Sequence, residues 1–153
     1  MDLGSQNVVV ALDALRGTLD ELSSFGYKLL LQTKARGWTQ PRSAVTFCGK
    51  GHAPSEPALT FGFAIWRDGS GDRSIVFSIL VAWNSRRWSV QSSVEDEDVS
   101  RDVITDNFWE SPEYEATTLE GLVRSLQSAV NALTSSVHEQ RVAAYLAAIE
   151  RRA

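Results

Sequence analysis

The densest chemistry in the chain lies at residues 95–115, EDEDVSRDVITDNFWESPEYE, where nine carboxylates stand against one cation, Arg101. Carboxylates this close can hold a hard cation, imitate a row of phosphates or repel a polyanion. A cation would be held through Asp96, Asp98 and Asp102, but a calcium loop also needs a central glycine and a terminal bidentate glutamate, and neither is in place. No metal is expected. What remains is a field of fixed negative charge interleaved with Phe108, Trp109 and Tyr114, and aromatic side chains beside charges are typical anchors of protein interfaces. The residues expected to meet a protein partner are therefore Glu95, Asp96, Glu97, Asp98, Asp102, Asp106, Trp109 and Tyr114. Trp66, at a hairpin end on a small-residue strand face, joins them.

Three further groups suggest chemistry and fail on spacing. Cys48 and His52 place a thiol near an imidazole in a glycine-containing stretch, as a thiolate nucleophile would need, yet no thiol, imidazole and carboxylate set of recognisable spacing surrounds them. Cys48 reads as a small core residue at a strand end and His52 as a loop residue. His138 has no nearby cysteine or second histidine, so no zinc site of ordinary spacing exists. GKGHAPS around Lys50 holds glycines and a lysine but lacks the spacing and the Lys-Ser/Thr pair of a phosphate loop. No catalytic residue and no cofactor are assigned.

The chain has 153 residues and a net charge of −4, so everything outside the acidic segment is net positive. Much of that excess lies in Lys28, Lys34, Arg36, Arg42 and Lys50. These could form a small basic patch, but a sequence pI of about 5.2 and the acidic segment both oppose binding to nucleic acid. The longest apolar run, residues 142–149, is far below the roughly 20 residues that cross a bilayer. A single cysteine forms no intrachain disulfide. The expectation is one cytoplasmic domain spanning residues 1–153 that binds neither membrane nor nucleic acid. Its oligomeric state is open, with a homodimer compatible.

The elements that must position the acidic segment are legible from periodicity. Val8, Leu12, Leu15, Leu19, Leu22 and Leu29 recur at helical spacing and predict an opening helix, with a bend or break near Gly26 and an end at Gly37 after Lys34 and Arg36. Period-two patterning follows: a short strand at 44–48, a longer strand with Leu59, Phe61, Phe63 and Ile65 on one face, and the turn RDGSGD. The next strand carries Ile75, Phe77, Ile79, Val81 and Trp83 on one face, and NSRR joins it to Trp88, Val90, Ser92 and Val94. Thr117 and Glu120 fit a capping box ahead of a helix bearing Leu122, Leu126, Val130 and Leu133. Residues 118–152 read equally as one bent helix or two. The fold class is α+β: an antiparallel four-stranded meander covered on one face by N- and C-terminal helices.

This build, with the strand ending in Trp88-Ser89-Val90, the acidic loop and the closing helix TLEGL at 118–122, resembles the small α+β immunity proteins of bacterial toxin systems over most of the chain. The resemblance implies inhibition of a cognate toxin by tight binding, without catalysis. Carboxylates on a loop would occupy a cationic site, with fast, salt-sensitive association. The alternative is a cytosolic chaperone for a secreted effector, since such chaperones are similar in size, acidity and α+β build. A small-molecule enzyme of unknown class comes third.

Overall fold

Alternation of apolar with small or hydroxyl side chains makes extended chain, and the extended segments pair in sequence order. The computed structural model describes residues 3–33, 38–46, 58–66, 73–98 and 103–152, and the backbone alone at 3–6, 38–46, 66, 73, 84, 103 and 149–152. Strands β1 (Trp38–Thr46), β2 (Ala58–Trp66), β3 (Arg73–Asn84), β4 (Arg87–Asp98) and β5 (Val103–Glu110) form an antiparallel meander, and short β6 (Tyr114–Ala116) pairs with the start of β4. The expected α+β fold is present. The sheet also runs beyond its first four strands, because the segment read as an acidic loop is itself strand: Glu95 to Asp98 end β4, and 103–110 are β5. β-branched and aromatic residues in VITDNFWE favour pairing, and charges on a last strand are a common way to blunt a sheet edge.

The predicted core face is the buried one. Phe61, Phe63, Phe77, Ile79 and Val90 are all at most 2% exposed. Phe63 and Phe77 stack at 5.1 Å between ring centroids, and Phe25 from the opening helix meets both edge-on at 5.7 and 5.8 Å. Gly62, on the other face, allows β2 and β3 to lie close, since a Cβ there would come within 2.7 Å of the Phe77 carbonyl oxygen. The β3–β4 hairpin closes through Ser85 (φ 50°) and Arg86 (φ 67°). Two successive left-handed residues match the strand twist as a type I′ turn does, although neither is glycine.

Helix α1 (Leu3–Thr33) is continuous through Gly26, so the expected break is absent. Gly26 is buried, and packing at this point offsets the helix cost of a glycine. Thr18 and Thr33, also buried, donate their hydroxyls to the carbonyls of Ala14 and Leu29. Leu22 and Leu29 are core, whereas Val8 and Leu12 of the expected stripe are 58% and 61% exposed. The reason is length: 31 residues make a rod of about 46 Å, and its first turns outrun the sheet. Helix α2 (Leu119–Ser135) starts one residue later than expected, with Thr118 as N-cap accepting from Gly121 N–H at 3.1 Å. Residues 118–152 are two helices. Ser136 donates to the Leu133 carbonyl at 2.6 Å within a single 3-10 turn, Ser136–His138, before α3 (Gln140–Arg152). All three helices bury their apolar sides in one cluster on the same face of the sheet. The expected helix end at Gly37, the residues Cys48, Lys50 and His52, and the turn RDGSGD lie outside the described residues.

Candidate functional site

Strand periodicity sorts the acidic segment by residue type. Val94 is buried on the helix-covered face, so alternation along β4 puts Asp96 and Asp98 on that face and Glu95 and Glu97 on the uncovered one. Cross-strand register carries the sorting to the neighbouring strands. Asp106 lies opposite Asp96, while Glu110 lies opposite Ser93 and Glu115 opposite Ser89, both uncovered positions. Glu113, in the connection between β5 and β6, reaches the same side, where the Ser89 hydroxyl donates to it. The described aspartates thus face the helices, and the glutamates Glu95, Glu97, Glu110, Glu113 and Glu115 line the open face.

The two sets differ in environment. Asp96 is only 5% exposed, and the Thr105 hydroxyl lies 3.0 Å from its Oδ2 and 3.2 Å from its carbonyl oxygen. Hydrogen bonding is what makes a buried carboxylate tolerable. Asp106 forms an ion pair with Arg141 of α3, which also donates to the Asn107 carbonyl and lies 5.4 Å from the centre of the Phe108 ring. Phe108 in turn packs on Tyr145 at 5.2 Å. Asp96 therefore ties β4 to β5 and Asp106 ties β5 to α3, so these two of the carboxylates expected to meet a partner are engaged within the fold. On the open face, Glu97 and Glu95 are half-exposed beside Val76, Ser78 and Ser93, whose hydroxyls are 3.2 Å apart for the two serines. Arg87 bonds Glu115 at 3.0 Å, and Asn107 bonds Glu110.

The aromatic candidates also divide. Trp109 pairs with Val94 and Tyr114 with Val90, and both are half-buried against the core. They pack the fold and are turned away from the glutamates. Trp66 stands in register with Ser74, and Ser74 with Glu97, so its backbone lies in the glutamate row. Asp102 lies outside the described residues. Glu110, Glu113 and Glu115 were missed as candidates, although counting in twos along β4 and its neighbours would have found two of them.

A second feature sits at the opposite end of the sheet. Leu15, Leu59, Val81, Trp83, Trp88 and Leu122 line an apolar cavity of about 450 Å³, and the two tryptophan rings meet edge-on at 4.7 Å. Among the described residues no cluster of three or more His, Cys, Asp or Glu could hold a metal ion, and no helix is long and apolar enough to cross a membrane. His138 is exposed at the 3-10 turn. Compared with family models, curated proteins and solved structures, the chain gives no match.

Proposed function

We propose that this protein is a protein-binding module that presents the glutamate row of its open sheet face to a cationic site on a partner, as an immunity-type inhibitor does to a cognate toxin. The observation that carries the reading is the sorting itself. Glutamates occupy the face that no described helix covers, while Asp96 is bonded to Thr105, Asp106 is paired with Arg141 of α3, and Asp98 shares their face. Carboxylates spaced along paired strands offer a fixed negative lattice, and such a lattice steers a cationic partner and rejects anionic ones. The strand backbone keeps the lattice rigid, which lowers the ordering cost of binding.

The test is co-expression with the product of the adjacent gene. Relief of that product's toxicity, lost when Glu95, Glu97 and Glu110 are replaced together by Gln, supports the proposal. Relief unaffected by the triple change contradicts it. The chaperone reading draws on a different property of the same face, its run of small and hydroxyl side chains at Thr60, Gly62, Ala64 and Ser78. These let an extended client strand lie flat, and an adjacent secretion substrate that needs the protein for solubility would favour that reading.

A further inference from the structure

The first turns of α1 stand outside the packed core. Asn7, Val8, Val9 and Val10 are all exposed, and four consecutive exposed residues exceed one helical turn, so the rod stands clear of the body on every side. Val8, Val9, Val10 and Leu12 are 58%, 65%, 49% and 61% exposed. Residues 3–12, LGSQNVVVAL, contain no ionisable side chain. At the base of this projection, beside Leu15, opens the apolar cavity of about 450 Å³.

We propose that this end of the molecule is a homodimer contact, in which two copies cross their α1 helices antiparallel near Leu12. Val8 and Leu12 of each then reach the apolar cavity beside the other's Leu15. Three observations select a second copy as the occupant. Val8, Leu12, Leu15, Leu19 and Leu22 are spaced four, three, four and three, the alternation by which helices pair with helices. The chain's own body buries that seam fully only from Leu22 onward, and the bare part continues it. Among the described residues the cavity wall offers no charged side chain and no array of polar groups to orient a small ligand, so it suits unoriented apolar side chains better than a metabolite.

Charge makes the same selection. Along β4, Asp96 lies eight residues from Trp88 at the cavity, about 27 Å at strand rise. Pairing through the uncharged first turns of α1 keeps the Glu95 to Asp98 end of each sheet away from its copy. A lipid surface is a poorer occupant, since interfacial helices rely on flanking lysines and arginines. The first cation here, Arg16, is bonded to Asp13. A contact of Val8, Leu12 and a cavity wall on each copy buries less than the roughly 1,000 Å² of a stable specific interface, so the dimer is weak and forms only at high micromolar concentration.

Sedimentation velocity of the full chain, from low to several hundred micromolar, tests this. The expected result is a mass rising from 16.9 kDa towards twice that value, insensitive to salt. Val8→Glu with Leu12→Glu should raise the dissociation constant at least about tenfold, and Leu12→Ser should raise it less, with circular dichroism unchanged in both. The Glu95, Glu97 and Glu110 to Gln triple should leave the dimer intact, which separates this contact from the partner-binding face. A chain that stays monomeric throughout, a dimer that survives the double glutamate change, or one that dissolves in the glutamine triple would overturn the proposal.

Discussion

At Arg86 the backbone holds a long L side chain at φ 67°, next to Ser85 at φ 50°. A left-handed conformation costs a non-glycine residue roughly 1–2 kcal/mol, and the Arg86 side chain is exposed at the turn. Arg86→Gly should therefore stabilise the protein by about 1 kcal/mol, read as a higher denaturant midpoint at unchanged slope. Gly62 gives the opposite case. Its missing Cβ would meet the Phe77 carbonyl oxygen at 2.7 Å, so Gly62→Ala should cost about 1–3 kcal/mol as β2 and β3 are forced apart. An unchanged midpoint would mean that the two strands can shift without loss of packing.

At the scale of elements, the cap of α2 shows where sequence reading ends. Both Thr117 and Thr118 could cap the helix, and the pattern Thr-x-x-Glu favours Thr117. The structure uses Thr118, whose hydroxyl accepts from Gly121 N–H and whose carbonyl accepts from Leu122 N–H. Thr118→Ala should cost about 1 kcal/mol and Thr117→Ala a few tenths at most, a difference that thermal unfolding of the two variants resolves. The strands of the core were legible because burial on one face leaves a clean period of two, as at Phe61, Phe63 and Ile65. Strand β5 was not, since Thr105, Asp106 and Asn107 are polar on both faces and register shifts in β4–β5 pairing break the period. The overhang of α1 was also hidden, because a helical stripe such as Val8, Leu12, Leu15 says which side is apolar and nothing about how far the cover extends.

At the scale of the whole molecule, the chain is polarised twice: the acidic end of β4 stands far from the apolar first turns of α1, and one sheet face is helix-covered while the opposite one carries the glutamates. The acidity was legible in the sequence, but the division of labour within it was not, because it depends on which residues of β4 lie on the helix-covered face. That division changes the experiment. Neutralising Asp96 and Asp98 would disturb the helix-covered face, so the surface variant is Glu95, Glu97 and Glu110 to Gln, which should change the unfolding free energy by no more than about 1 kcal/mol because carboxylates that reach solvent contribute little to stability. The most direct measurement is the association rate of this variant and of the unaltered protein with the adjacent gene's product, at low and at physiological salt. The unaltered protein should associate at least about tenfold faster at low salt and lose that advantage as salt rises, while the variant stays slow and nearly salt-independent. Equal rates and equal salt dependence for the two proteins would contradict it, and the open glutamate face would then be a solubilising surface only.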